Sequence, residues 1–561
     1  MSIQQYRPGD APSRVPRGSA CLSCRRRKMR CDGVRPVCGQ CVHMEREYDC
    51  EYTDGPMPSP TQLLERDVAR LEARIRELES DPQRAQKPPP NAPKLVGSSH
   101  KPSASSSSLA TMVSASIVPD DPESEVHQAV IGILIGIFVP HASQVGFFMN
   151  IPRFLDAAYI PNPAVRRATL SPALLDCVLL WGAHFSNNHS LKIHEPTLLS
   201  RAVGSLASGK SLHDRTIQTI QAEVLLANYF FCQSRMLEGT YHCSAAVALA
   251  LSCKLNRVRS ASPPESLSAP GMFALAPPRD TVEEGERINA FWAAYIVDRC
   301  WSAAQGSHAN DVFVGVQIDT PWPQEMGAYE EGVLTADLRS YNTVNMFLND
   351  PISDVPYDTR SMLALRAKAA TLFERATRLA SQWSHAIPDF DGFYVQVYQL
   401  DAVLRSFAAS LPSLDRPEVS ENIELAAHLL VTRTYVLVAA IRLHNHLEAP
   451  LTSSIEERPD LIAAKEAADA IDSVRLSELP FLDPILAMLW SVIARVFIDN
   501  LKLVGPDPSR QSLLLYLGRI MNTMALYTHT SALMASQMTL LQNDLGMLNM
   551  SEAPGTINPH A

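Results

Sequence analysis

The sequence predicts three unlike parts in series: a small six-cysteine metal cluster, a short coiled coil, and a large all-α body, joined by disordered linkers. Three observations carry this reading. Six cysteines fall between Cys21 and Cys50. Leu64, Leu71 and Leu78 lie seven apart, with Val68 and Ile75 interleaved. From about residue 123 onward apolar residues recur at helical spacing, and strand-type alternation is scarce.

At 561 residues the chain exceeds one core and should hold two or three units. Its charge is uneven. Residues 1–36 carry nine Arg or Lys against Asp10 and Asp32, a formal +7; the whole chain is −10, so residues 37–561 sum to −17. A basic head on an acidic body confines any contact with nucleic acid to the head. Residues 1–18 form a polar, disordered basic arm with Arg7, Arg14 and Arg17.

The cluster spans 19–53. It reads Cys21-Leu-Ser-Cys24, then Cys31, then Cys38-Gly-Gln-Cys41, then Cys50. Two separate tetrahedral all-cysteine zinc sites would need four thiolates each, and only six thiolates are present. Sharing two sulfurs between two Zn2+ ions removes the shortfall, so a binuclear zinc cluster is expected. A disulfide framework would need a secretory context, whereas residues 1–19 are polar and lack an apolar stretch. Iron–sulfur runs place their cysteines closer together. Arg25, Arg26, Arg27, Lys28 and Arg30 stand between the second and third cysteines, and Arg35 follows. Cations fixed beside a metal staple suit the phosphates and base edges of double-stranded DNA. Arg25, Arg26, Arg30 and Arg35 are the candidates for phosphates, which position without specifying.

These residues resemble one family closely, the fungal Zn2Cys6 (zinc binuclear cluster) transcription factors. The pattern stands as Cys-x2-Cys-Arg-x2-Lys-x2-Cys at 21–31, then Asp32-Gly33-x-Arg35-Pro36-x-Cys38-x2-Cys41. The resemblance implies that Cys21 and Cys38 bridge both ions, that Cys24 and Cys31 complete one tetrahedron, and that Cys41 and Cys50 complete the other. The gap before Cys50 is longer than the commonest in the family. It further implies that Lys28 and Arg27 reach the bases of a CGG-type triplet, and that the protein regulates RNA polymerase II genes in the nucleus.

The remaining elements follow in order. Residues 54–60, with Pro56, Pro58 and Pro60, make a semi-rigid linker. Residues 61–80 hold the heptads Leu64, Val68, Leu71, Ile75 and Leu78. β-Branched residues at one seam position and Leu at the other favour a parallel two-stranded coil, hence a homodimer. The competing reading is a single amphipathic helix packed on its own domain, which polarity on the other faces disfavours. About three heptads make the isolated coil marginal. Residues 81–122, with three successive prolines at 88–90 and serines at 105–108, lack the apolar content to fold.

The body, 123–545, is read as all-α, with 546–561 as a tail. Ile217, Ile220, Gln221, Val224, Leu225, Asn228, Phe231 and Cys232 mark one helix face. Thr281-x-x-Glu284 reads as a capping box opening a helix that is apolar nearly all round, through Trp292 toward Trp301. A further long helix is expected over 423–443. Cys177, Cys232, Cys243, Cys253 and Cys300 read as small buried hydrophobes. No membrane-spanning helix is expected, because the longest apolar run, 129–139, stops at Pro140, short of about 20 residues. Tyr241 to Ala250 with Leu255-Asn256-Arg257, Arg287 to Arg299, and Ile318-Asp319-x-Pro321 resemble the fungal-specific transcription factor domain. That resemblance implies regulation through this body by an effector or coregulator that it does not name.

Two patterns point elsewhere. Gly204 to Ser211 matches the Walker A expression, ending Gly209-Lys210-Ser211. A nucleotide-binding or hydrolysing protein, with the zinc cluster as a docking module, is therefore the alternative. The residues before Gly204 have helical rather than strand spacing, which argues against a phosphate loop. His444 and His446, two apart, suit a helix end meeting solvent better than a metal pair. No catalytic motif is evident, and no enzyme is expected.

Overall fold

The computed structural model describes residues 20–34, 37–44, 50, 125–207, 215–262, 273, 275–306, 311–334, 338–350, 361–384, 389–445, 458–504 and 508–552. The chain divides into two compact units, Met1–Pro102 and Ser103–Ala561. The basic arm, both linkers and the expected coil with Leu64, Val68, Leu71, Ile75 and Leu78 lie outside the described residues, as do Arg35 and Pro36. In the first unit the described helices are α1 (Leu22–Arg26) and α2 (Gly39–His43).

In the second unit the described residues hold no strand, only an isolated bridge between Ser260 and Ser340. Its longer helices are α3 (Glu125–Phe138), α4 (Pro172–Phe185), α5 (Glu195–Ala207), α6 (Thr216–Cys232), α7 (Met236–Ser252), α8 (Thr281–Gln305), α9 (Met362–Ser381), α10 (Phe390–Ser410), α11 (Ile423–His444), α12 (Pro459–Asp472), α13 (Ile485–Leu501), α14 (Pro508–Leu526) and α15 (Ala532–Glu552). The last helix therefore runs past the boundary expected at 545.

Two apolar cores meet at α6. Ile220, Val224, Ala227 and Phe231 face one, which reaches from α7 and α8 to α15; Ala222, Leu225, Leu226 and Phe230 face the other, shared with α3 and α4. The expected single apolar face is thus corrected. This helix is buried nearly all round because helices pack on opposite sides of it, and each large side chain so enclosed contributes about 1.5–3 kcal/mol. Gly182 on α4 permits the close approach of α3, since a Cβ there would lie 2.3 Å from the Leu134 carbonyl oxygen.

Helix α8 is the axis of the larger core. Nearly every residue from Val282 to Ala303 is buried, as its all-round apolar pattern predicts. Its cap differs from expectation. Asp280, not Thr281, is the N-cap, and its carboxylate accepts from the Glu283 N–H at 2.9 Å. Glu283 reaches back to the Arg279 N–H at 3.0 Å. The box is displaced by one residue because Thr281 and Glu284 have tertiary partners: the Thr281 hydroxyl donates to the Tyr329 carbonyl at 2.7 Å, and Glu284 pairs with Arg259 at 2.7 Å.

The quoted body motifs come together around this helix. Asn256 accepts from the Asp319 N–H at 2.8 Å and donates to the Gln317 carbonyl at 2.8 Å. The buried Asp319 carboxylate accepts from Ser260, from Ser262 and from the Asn342 N–H. Trp292 donates its indole N–H to the Pro321 carbonyl at 2.7 Å and stacks on Trp322. Arg299 is buried among Asp298, Asp311 and Glu374. These interactions lock loops onto α8.

Helix α11 forms where expected and is flanked by α9, α10, α12 and α13. By length and apolarity, Gln128–Val145 and α11 both reach membrane-spanning dimensions. An uninterrupted apolar run ends at Pro140, or at single polar residues in α11, whereas an 18-residue stretch of high mean hydropathy tolerates them. Both pack against other helices of the body. Cys177, Cys232, Cys243 and Cys300 are buried as expected; Cys253 is half-buried.

Candidate metal centre and nucleic-acid interface

Cys21 and Cys38 each serve as N-cap of a five-residue helix. Their sulfurs accept from the N–H of Cys24 and Cys41 respectively, both at 3.4 Å. The spacing Cys-x2-Cys thus places both sulfurs of a pair at one helix N-terminus, where the macrodipole favours negative charge. The third cysteine of each half repeats the relation. Cys31 Sγ accepts from the Cys21 N–H at 3.5 Å, and Cys50 Sγ accepts from the Cys38 N–H at 3.2 Å. The two halves are a structural repeat.

The halves meet through their sulfurs. Cys21 Sγ lies 3.7 Å from Cys38 Sγ and 3.8 Å from Cys41 Sγ, and Cys24 Sγ lies 3.7 Å from Cys38 Sγ and 4.0 Å from Cys41 Sγ. A ZnS4 tetrahedron with Zn–S near 2.3 Å has sulfur–sulfur edges of about 3.8 Å. The four buried sulfurs therefore sit at zinc-binding separations, and the Cys31 sulfur lies close to that of Cys38. Without a cation this packing is unfavourable. Burial, then contact with the other three thiols, pushes the Cys24 thiol well up; at Cys21 burial also opposes ionisation, but the Cys24 N–H and the Cys24, Cys38 and Cys41 thiols together outweigh it and lower the thiol. Zinc would replace those protons and neutralise the crowded thiolates.

One tie was not foreseen from sequence. Asp32 Oδ2 accepts from the Gly39 N–H at 2.9 Å and Oδ1 from the Val34 N–H at 3.2 Å, joining the loop after Cys31 to the start of α2. A Cβ at Gly39 would lie 2.5 Å from Asp32 Oδ2, so a larger residue would make the carboxylate shift from this position. The signal was the short Asp32-Gly33 pair, which the spacing argument left without a role.

The cations are divided between a short helix and the turn that follows it. The helix begins at Leu22, contains Cys24 and ends at Arg26, with Arg27 as its cap. Lys28 follows at φ +54°; its N–H donates to the Arg25 carbonyl, and the Met29 N–H donates to the Cys24 carbonyl at 2.9 Å. This is a Schellman ending with lysine where glycine is usual. The chain must turn here to bring Cys31 back to Cys21, so Lys28 and Arg30 lie beyond the helix. Arg25, Arg26, Arg27, Lys28 and Arg30 are all exposed and clustered on this turn.

The competing motif lacks its scaffold. Gly204 lies within α5, so it lacks the preceding strand that a phosphate loop needs. Gly209, Lys210 and Ser211 lie outside the described residues. His444 is corrected too. Its Nε2 pairs with Asp401 on α10 at 2.8 Å, so that end of α11 is pinned rather than open; His446 is outside the described residues.

Comparisons with known proteins agree with this geometry. Residues 19–59 match the family described as fungal Zn(2)-Cys(6) binuclear cluster domain, and residues 138–350 match the fungal specific transcription factor domain. The citrinin biosynthesis transcriptional activators of Monascus ruber and Monascus purpureus are each 25% identical over 407 residues, which is 65% of this chain and 74% and 65% of theirs. The transcriptional activator protein acu-15 of Neurospora crassa is 44% identical over 64 residues, 10% of this chain and 7% of its own. No solved structure matches. With the zinc cluster and the helical body in this order, the chain belongs to the fungal Zn2Cys6 transcription factors and is a zinc-binding, DNA-binding transcription regulator.

Proposed function

We propose that this chain is a nuclear, sequence-specific regulator of RNA polymerase II genes that binds two CGG-type triplets as a homodimer. The observation that supports this most is the cluster itself: Cys21 and Cys38 sulfurs lie 3.7 Å apart, each within 3.8 Å of a further cysteine of the other half, with five exposed cations on the adjoining helix and turn. In this reading Cys21 and Cys38 bridge two zinc ions, Cys24 and Cys31 complete one site, and Cys41 and Cys50 the other. Lys28 and Arg27 read the triplet. Arg25, Arg26, Arg30 and Arg35 hold phosphates, which gives affinity and salt dependence but no sequence preference. Residues 61–80, through Leu64, Val68, Leu71, Ile75 and Leu78, join two heads, and residues 54–60 set their separation. The body carries no enzymatic activity in this reading and receives an effector or coregulator. Selection from random duplexes by the full chain tests it. Recovered sequences should carry paired CGG-type triplets at a fixed spacing; recovery of unrelated sequences would reject the assignment.

A further inference from the structure

The body contains a cavity of about 710 Å³, within the range of small-molecule sites. It lies beside the central helix and opens to solvent, so a small molecule can enter it. Its walls are mostly apolar: Phe148 on one side, and Ile296, Val297 and Trp301 of α8 on another. At one end the polar side chains converge. Arg366 of α9 is paired with Asp483, yet its Nε has no acceptor in hydrogen-bond geometry. The Tyr435 hydroxyl of α11, fully buried and crowded by Cys300 and Arg366, likewise lacks a partner of good geometry. His428, about two turns earlier on α11, lines the same space, and burial followed by the Arg366 charge pushes it down to about 3, so it is a neutral imidazole. Glu325, Glu330 and Glu424 also line the cavity.

We infer that this cavity is an effector site for an uncharged, largely apolar small molecule carrying a hydrogen-bond-accepting oxygen, seated at the Arg366–His428–Tyr435 end. The chemistry follows from the lining. Unmet donors in an apolar enclosure are costly until an acceptor meets them, and a carbonyl or ether oxygen does so without bringing charge. Arg366, the one Lys or Arg of the lining among the described residues, is already neutralised by Asp483, and three further carboxylates repel an anion. The walls come from α8, α9 and α11, the helices that organise the larger core, so occupancy would stiffen the centre of the body. The inference deepens the proposed regulatory role of the body, but the binding itself does not depend on that role.

Nile red, an uncharged polycyclic dye with a carbonyl oxygen, is a suitable probe with the full chain. Saturable one-to-one binding with blue-shifted emission is expected, and binding of the anionic dye anilinonaphthalene sulfonate should be about tenfold weaker or more. Met362→Trp, at a half-buried lining position, should fill the space and weaken Nile red by about tenfold or more. His428→Phe keeps an aromatic ring but removes the ring nitrogens that could hydrogen-bond a ligand. It should weaken Nile red several-fold and leave diphenylhexatriene, which has no acceptor oxygen, unaffected. If Met362→Trp loses its cooperative melt, the His428→Phe comparison decides. Non-saturable dye uptake, preference for the anionic dye, or wild-type Nile red binding by both folded variants would overturn the inference. A chain that binds Nile red this way but selects no duplex would refute the DNA reading and leave this one standing.

Discussion

Replacing His184 by leucine should destabilise the body by several kcal/mol, and the loss should shrink as pH rises. His184 on α4 is buried, with Nδ1 2.7 Å from Glu195 Oε1 and Nε2 2.9 Å from the Thr530 carbonyl oxygen. Both partners are acceptors, so both ring nitrogens donate and the ring is an imidazolium. Burial opposes that charge, but contacts with Cys232 and Glu195 outweigh it and raise the histidine from 6.5 to about 10. Glu195 is correspondingly held low despite its burial, and it also accepts from Tyr229 at 2.7 Å. A rise of that size is equivalent to roughly 5 kcal/mol at most, and breaking a buried pair costs about 3–5 kcal/mol, so His184→Leu should cost about 3–5 kcal/mol near pH 6. The sign follows from linkage. The folded pKa exceeds the unfolded one, so the stabilisation is complete below about pH 6.5 and disappears as pH approaches 10, by about 1.4 kcal/mol per pH unit between. Urea unfolding followed by tryptophan fluorescence is the assay, because Trp181 packs edge-on against His184 at 5.4 Å. A wild-type-minus-variant difference that stays flat from pH 6.5 to 9 would refute the imidazolium.

Four further predictions concern the cluster and the expected coil. Lys28→Gly, which keeps the left-handed turn while deleting the side chain, should lose about 1–3 kcal/mol of discrimination between CGG and altered triplets, measured by competition binding. Arg25→Ala should instead weaken every duplex alike and flatten the salt dependence; identical profiles for the two variants would refute the division of roles. Asp32→Ala removes the acceptor for the Gly39 N–H, and because the pair is exposed the cost should be about 1 kcal/mol, read as easier stripping of zinc by a chelator with triplet preference retained. Leu71→Glu with Ile75→Lys should reduce binding on a two-triplet duplex to the level of a one-triplet duplex while zinc content is unchanged; equal affinity of the wild type for both duplexes would contradict dimeric reading.

What was legible in the sequence was local. Ligand type and spacing are written in the order of residues, so Cys21 to Cys50 announced zinc, and the five cations beside Cys24 announced nucleic acid. Helices α8 and α11 were legible because their apolar positions persist for many turns. What failed depended on partners distant in sequence. The register of the α8 cap turned on Tyr329 and Arg259, which claim Thr281 and Glu284. The two-sided burial of α6 came from two cores converging on it, which periodicity within one helix does not express. Lys28 broke the helix because the loop must return Cys31 to Cys21, a closure requirement rather than a propensity. The cavity and the His184 site assemble residues more than a hundred positions apart, and no local pattern marks them.

The central claim is that shared sulfurs hold two zinc ions and that this metal cluster is the DNA-reading structure. Metal analysis of the full chain, paired with duplex binding before and after chelation, tests it most directly. Two zinc per chain are expected, with binding lost when zinc is removed and restored when it returns, because thiolate ligation supplies the core of so small a unit. One zinc per chain at full DNA affinity, or undiminished binding by the zinc-free protein, would contradict it.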